Sequence, residues 1–387
     1  MDFNKEAVKA VAKTNANFGN ALFNILAKPD QNFIMSSFSV SLVLNMILNG
    51  AKGRTASQLK EGLTLKDFDV VKKGFKDALT LLKINEKITL NSANRIYHSA
   101  DNVLDEAYLQ STQELFLAEP VGMDFGQAEQ SRTAINQWVE EQTNQKNQEL
   151  IPPGSIGDWT KLVLVNAIYF KGNWDVKFDK SKTKKRDFHV SPTQTVQTDM
   201  MVSTNRYGML SDVKDLQGAT ALDMPYKGKR LSMIFLLPNH NDNSLADLKE
   251  AMSKVTDLNS ILKFGQKTKV VVTLPRFKIE SQFDLVEPLM QLGMTDMFDE
   301  NKADFSGMTG GTNKGLFVSQ AAQKAFIEVN EEGAEATAAT FAVVQSRSAR
   351  VYPPTPTFTC DRPFMFLIRD NLTGMILFSG HVTDPSK

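Results

Sequence analysis

Arg347 and Arg350 stand in a run of small and polar side chains, Gln345-Ser346-Arg347-Ser348-Ala349-Arg350. An arginine in that setting is what a trypsin-like protease cleaves. The primary pocket of such a protease ends in a carboxylate that accepts a guanidinium as a bidentate or water-assisted pair. That chemistry would be done to this chain by another protein. Residues for chemistry of its own are sparse. The four histidines are His98, His189, His240 and His381, and no two have metal-ligand spacing. No serine sits in a Gly-x-Ser-x-Gly elbow. The single cysteine, Cys360, excludes an internal disulfide framework and a cysteine-based metal site. It lies among apolar strand residues, which favours a buried, inert thiol over a nucleophile. No metal and no required cofactor follow, and a hydrolase is the weakest reading.

The segment leading to these arginines is Glu331-Glu332-Gly333-Ala334-Glu335-Ala336-Thr337-Ala338-Ala339-Thr340. It contains no proline, and nearly all its side chains are small. In an extended chain Ala334, Ala336, Ala338 and Thr340 share one face, and Glu335, Thr337 and Ala339 the other. Yet alanine is a poor strand former, and nothing here is bulky enough to anchor a strand. The segment reads as a loop in one state and a strand in another. On the residues alone, an Ala/Thr linker or a helix fits equally well. Beyond the arginines, Pro353, Pro354 and Pro356 should hold the chain extended.

Lysine plus arginine and aspartate plus glutamate each total 44, so overall charge does not point to nucleic acid. No apolar run approaches a membrane span. The start, Met1-Asp2-Phe3-Asn4-Lys5-Glu6, is charged and lacks the apolar segment of a secretion signal. It fits a cytoplasmic protein or a mature secreted form. Two basic clusters stand out. One is Lys72, Lys73, Lys76 and Lys83; the other is Lys177, Lys180, Lys182, Lys184, Lys185 and Arg186, which reads as a loop. Each is either a polyanion site or a solvated face.

The elements that must position these residues follow from periodicity. Val8, Val11, Phe18, Leu22, Ile25 and Leu26 form a helical stripe. Ser39 to Asn49 is a strongly apolar helix that stops at Gly50. Helices are also expected at 57–63, 70–82 and 131–143. The second half reads mainly as strands, at 162–170, 231–237, 269–274, 316–330, 364–368 and 375–382. Leu162 to Phe170 is apolar on both faces and should be a central strand. Without a Pro/Gly linker near the midpoint, one α+β domain over 1–387 is favoured.

Six motifs, in order, resemble the serpin family over nearly the whole chain. They are Phe33-Ile34-Met35-Ser36-Ser37-Phe38-Ser39-Val40, Gly50-Ala51-Lys52-Gly53-Arg54-Thr55, Ile135-Asn136-Gln137-Trp138-Val139-Glu140, Leu164 to Trp174, Phe358 to Ile368, and the terminal Gly380-His381-Val382 with Pro385. Ser37 stands where proline is usual. The wording Phe326-Ile327-Glu328-Val329-Asn330-Glu331-Glu332-Gly333 is similar to insect members.

The resemblance implies the serpin fold: helices around a large central, mostly antiparallel sheet, smaller sheets, and an exposed reactive-centre loop at about 331–356. It implies a monomeric suicide substrate that forms a covalent complex with a trypsin-like serine protease. Cleavage lets the hinge, Glu331, Gly333, Ala334, Ala336, Ala338 and Thr340, enter the main sheet as a strand. In inhibitory members the scissile bond follows the seventeenth residue counted from the hinge glutamate. From Glu331 that residue is Arg347, giving Arg347–Ser348, with Arg350–Val351 as the rival. Ser36, Ser39, Asn166 and Gln323 match a polar cluster under the sheet, with Gln323 in place of a histidine common in vertebrate members. Trp174, Arg276 and Glu331 match the group where insertion begins, with Arg276–Glu331 expected as an ion pair at the top of the sheet and an ordinary surface pair as the alternative. The helix carrying Lys72, Lys73 and Lys76 binds heparin in some members, so heparin or another sulfated polysaccharide is an expected activator. A secreted regulator of an extracellular cascade such as insect innate immunity is the first expectation. The alternatives are an intracellular protease guard and a non-inhibitory carrier or chaperone. Asn371-Leu372-Thr373 is a glycosylation sequon in a turn that disfavours modification.

Overall fold

The computed structural model describes residues 3–83, 88–146, 148–239, 244–311, 315–333 and 354–387. Six helices fall in the first part of the chain: α1 (Lys5–Leu26), α2 (Ser37–Gly50), α3 (Gly53–Gly62), α4 (Phe68–Lys83), α5 (Glu106–Phe116) and α6 (Ala128–Gln142). The stripe expected in α1 is buried at Val8, Val11, Phe18 and Leu22, and Asn4 caps its first turn by accepting from Ala7 N–H. Nearly every residue of α2 is buried, as an all-round apolar helix requires. Ser36 caps it.

The strands are β1 (Phe33–Met35), β2 (Ile88–Ser99), β3 (Val121–Met123), β4 (Leu162–Gly172), β5 (Lys184–Ser191), β6 (Gln194–Val213), β7 (Ala219–Pro225), β8 (Leu231–Leu237), β9 (Thr268–Pro275), β10 (Phe277–Asp284), β11 (Val318–Val329), β12 (Thr357–Thr359), β13 (Phe364–Asp370) and β14 (Ile376–Val382). They form two sheets. A nine-stranded sheet runs β1-β14-β13-β8-β7-β6-β9-β12, with β5 on β6. A five-stranded sheet runs β10-β11-β4-β2-β3.

The five-stranded sheet positions the site. β4 is central and buried on both faces, as its sequence predicts. Leu164, Ile168 and Phe170 face the main core with α2. Val163, Val165 and Ala167 face a second core with Ile135 and Val139 of α6. The pairings of this sheet alternate antiparallel and parallel, so the sheet is mixed. β4 and β11 run parallel, with Asn166 opposite Gln323 and Tyr169 opposite Phe326. Between two parallel strands there is room, in direction, for one strand antiparallel to both.

β2 is a strand that the mainly helical reading of the first half misses. Its apolar residues are interrupted by Asn91, Ser92, Asn94 and Arg95, which weakens the period-two signal.

Candidate functional site

β11 ends at Val329, and the chain turns back at once. Asn330 and Gly333 exchange backbone hydrogen bonds of 3.0 and 3.1 Å. Gly333 also makes an antiparallel bridge to Asn173, just past the end of β4. The start of the hinge therefore sits between the ends of the two parallel strands, already pointing antiparallel to both. Gly333 has φ +115°, and a Cβ there would come within 2.1 Å of the Gly172 carbonyl oxygen. Only glycine fits both the conformation and the space.

Both hinge glutamates are buried and tied down. Arg276 Nε donates to both Glu331 carboxylate oxygens at 2.9 Å, and its Nη2 makes a further short bond. Thr183 Oγ1 donates to Glu331 Oε1 at 2.5 Å. Burial alone would raise the Glu331 carboxyl, but the Arg276 and Thr183 hydrogen bonds outweigh it and hold the group below its ordinary value. The pair is not an ordinary surface pair: Glu331 is 2% exposed. Losing Arg276 would leave a buried carboxylate short of its main partner, a cost above the ~0–1 kcal/mol of surface pairs. Glu332 accepts from Lys177 and, at 3.3 Å, pairs with Lys180. The Lys177 hydrogen bond is the main reason its carboxyl is lowered.

Trp174 closes the group. Its ring stacks on Tyr226 at 4.6 Å and 7°, and its Nε1–H donates to the Asn330 carbonyl at 3.0 Å. Its backbone N–H donates to the Glu332 carbonyl at 2.9 Å. Trp174, Arg276 and Glu331 thus meet around one turn. Thr183, Lys177, Lys180 and Tyr226 complete it. Only their positions in the fold bring them here, and the sequence gives no sign of their roles.

Ala334, Ala336, Ala338 and Thr340 lie outside the described residues, as do Arg347, Ser348, Arg350 and Val351. The chain is described again from Pro354, and β12 pairs parallel with β9 in the nine-stranded sheet. The intervening segment links the end of one sheet to the edge of the other.

The polar cluster lies on the core face of the β4–β11 seam. Ser36 N–H donates to Gln323 Oε1 at 2.9 Å, and Gln323 Nε2 donates to the Ser36 carbonyl at 3.0 Å and to Asn166 Oδ1. Asn166 Nδ2 donates to Ser39 Oγ and to Asn94 Oδ1, both at 2.5 Å. Ser39 Oγ donates to Asn94 Oδ1 at 2.6 Å. Asn94 of β2 is the member sequence reasoning misses. The usable signal was a polar side chain at the same strand parity as Ile96. Gln323 is fully buried, so Gln323→Leu strands the Ser36 N–H and the Asn166 carbonyl oxygen. At about 1–3 kcal/mol per orphaned group, a loss of roughly 2–4 kcal/mol is expected. It should be read as a lower urea midpoint at unchanged slope. An unchanged midpoint would show that the cluster does not depend on Gln323.

Of the helix cluster, Lys73 and Lys76 are exposed, Lys72 is drawn to Asp69 at 2.6 Å, and the Lys83 side chain lies outside the described residues. Of the second cluster, Lys182 and Lys185 pair loosely with Asp179 and Asp199, while Lys184 and Arg186 are exposed. Lys184 to Arg186 lie in strand β5, not in a loop as the sequence reading has it. Among the described strands β5 pairs with β6 alone, and charged side chains are what an open strand edge requires. Cys360 is fully buried, and burial pushes its thiol well up. Asn371 Nδ2 donates to Ser232 Oγ at 2.7 Å and to the Lys229 carbonyl at 3.1 Å, so the sequon's amide is occupied.

The family model described as Serpin (serine protease inhibitor) matches residues 13–385. Leukocyte elastase inhibitor A of Mus musculus is 38% identical over 390 residues, covering 98% of this chain and 100% of its own. The crystal structure of Serpin48, a highly specific serpin of the insect Tenebrio molitor, superposes with TM-score 0.84 at 33% identity over 98% of each chain. Native protease nexin-1 with heparin gives TM-score 0.84 at 32% identity, over 99% of this chain and 100% of its own. With the parallel seam, the buried glutamates at the start of the hinge and a family match over nearly its full length, the chain belongs to the serpin family of serine protease inhibitors.

Proposed function

We propose that this serpin inhibits Arg-specific, trypsin-like serine proteases by a suicide-substrate mechanism, with Arg347–Ser348 as the reactive bond. The observation that carries this reading is Gly333 seated between the ends of β4 and β11. Residues following it can extend antiparallel to both strands. The protease serine attacks the Arg347 carbonyl carbon, the amine of Ser348 leaves, and an acyl-enzyme forms. Residues from Ala334 onward then enter the seam and drag the attached protease along the sheet before water deacylates it. A displacement of about 1 Å in a catalytic group already costs on the order of 100-fold. The protease does the chemistry; this chain is its substrate and trap, not an enzyme. Incubation with trypsin tests this reading: a covalent band surviving denaturing electrophoresis is expected, and cleaved inhibitor with free protease is the contrary result.

The mouse relative is named for leukocyte elastase, which favours a second reading with a different target. An elastase pocket is small, so it disfavours arginine at the reactive position. We therefore keep the trypsin-like class, with Arg350–Val351 as the alternative bond. The alternation of small residues from Ala334 to Thr340 argues against a carrier or chaperone.

For location we favour an intracellular protease guard over a secreted cascade regulator. The likeness to leukocyte elastase inhibitor A supports this reading. Fractionation of the producing cells tests this, and recovery in the medium would restore the secreted reading. We propose that the protein acts as a monomer.

A sulfated polysaccharide such as heparin is the proposed activator. The helix cluster around Lys73 and Lys76 has pre-ordered spacing, while Lys177 and Lys180 of the second cluster hold Glu332. Heparin is expected to raise the second-order inhibition rate at low salt and to lose that effect at high salt. Charge reversal of Lys73 with Lys76, against Lys184 with Arg186, assigns the site. No acceleration at low salt would return both clusters to solvated surface.

A further inference from the structure

Helix α7 (Leu245–Lys254) packs on α1, and a cavity of about 400 Å³ opens between the two helices and His381 of β14. Its wall is mostly apolar, with Pro29, Leu245 and Ala246, and its charged or titratable members are Lys249, Glu250 and His381. Small-molecule sites have this make-up, an apolar pocket with a few placed polar groups. Lys249 is half-buried. Its Nζ donates to the Ala27 carbonyl at 2.5 Å and lies 6.0 Å from the centre of the Phe23 ring. An ammonium can donate to several acceptors, yet no carboxylate among the described residues pairs with this one. Glu250, the adjacent acid, pairs instead with Lys254 at 2.6 Å. Burial lowers the Lys249 ammonium below its ordinary value, as expected of a cation with no anion beside it.

His381 is 1% exposed, and its ring meets Phe23 edge-on at 5.7 Å. Nε2 lies 2.7 Å from the Gln31 carbonyl oxygen, which can only accept, so Nε2 carries the proton. Nδ1 is then a bare acceptor, buried without a partner. Burial, with the Lys249 charge adding to it, pushes His381 down to about 4, against the pull of the Gln31 and Lys28 carbonyls. Its register neighbours, Phe33 of β1 and Met365 of β13, carry no charge, and the Lys28 and Asp30 side chains in the turn after α1 are exposed. An anion in the cavity would offset Lys249 and favour the imidazolium. We propose that this cavity binds a monocarboxylate with a short apolar body, such as a medium-chain fatty acid, its carboxylate paired with Lys249 and its tail against Pro29, Leu245 and Ala246, and that His381 takes up a proton from solvent as the anion enters. A phosphate dianion would outweigh the charge of Lys249 and gain nothing from the apolar wall. The site is independent of the inhibitory reading above.

Calorimetric titration of the full chain with octanoate tests the proposal. Octanoate should bind, and octanol, with the same tail and no charge, should bind about tenfold more weakly or worse. If the anion restores His381 to its ordinary value, octanoate should bind about tenfold more tightly at about pH 5.5 than at about pH 7.5. His381→Gln keeps a donor for the Gln31 carbonyl and cannot titrate, so it should still bind but lose that pH dependence. Lys249→Met should lose about tenfold or more in affinity, and Lys249→Arg should keep most of it. Because Lys249 also holds the Ala27 carbonyl, a second variant fills the cavity instead: Ala246→Trp, at an exposed position of α7, should abolish binding at an unchanged urea midpoint. No octanoate binding, or equal affinity in Ala246→Trp, would overturn the site. Equal affinity for octanol would overturn the carboxylate class, and a pH dependence that survives in His381→Gln would overturn the proton uptake.

Discussion

Ala336→Glu is expected to abolish protease trapping while leaving cleavage after Arg347 intact. Position 336 lies three residues beyond Gly333, which is already bridged to Asn173 and Asn330. In an inserted strand, Ala334, Ala336, Ala338 and Thr340 occupy one face, and Ala336 belongs to the set that is buried. A carboxylate there would leave water without a partner, at a cost of at least roughly 2–7 kcal/mol. Each 1.36 kcal/mol placed on the insertion barrier slows insertion about tenfold, so deacylation wins the race. The same reasoning makes Ala334→Arg a substrate, whereas Glu335→Gln on the opposite face should remain an inhibitor. Stoichiometry of inhibition measures this directly. An Ala336→Glu protein that still traps trypsin at the unmodified ratio would show that this face is not buried.

Arg347→Ala is expected to remove inhibition of trypsin-like proteases, and Arg350→Ala to spare most of it. The guanidinium supplies the charged contact that the primary pocket of such a protease requires, and alanine supplies none. The loss should appear in the second-order inhibition constant, while urea stability stays unchanged. Mass spectrometry of the released C-terminal peptide locates the bond independently. A peptide beginning at Ser348 supports the assignment; one beginning at Val351 moves it to Arg350.

Much of the fold was legible because it rests on local patterns. The two-sided apolar run of β4 and the all-round apolar run of α2 could each have only one placement in a packed core. The hinge face of Ala334, Ala336, Ala338 and Thr340 lies outside the described residues, and on the residues alone a linker or a helix fitted it equally well. What escaped the sequence depends on contacts between distant segments. Thr183 meets Glu331 across 148 positions, and Lys177 meets Glu332 across 155. No spacing rule links such residues. The Arg276–Glu331 pairing was anticipated, but the backbone hydrogen bonds from Trp174 and Phe178 that tie the Glu332 and Glu331 carbonyls down were not. Asn94 escaped because β2 itself was not recognised as a strand.

Whether the cut hinge becomes a strand of the five-stranded sheet is read from thermal unfolding before and after a single cut in the 334–353 segment. The cleaved chain is expected to unfold at a higher temperature than the intact one, by more than about 10 °C, because a new strand pairs with both β4 and β11. An ordinary nicked loop would leave the midpoint unchanged or lower it, and that result would contradict insertion.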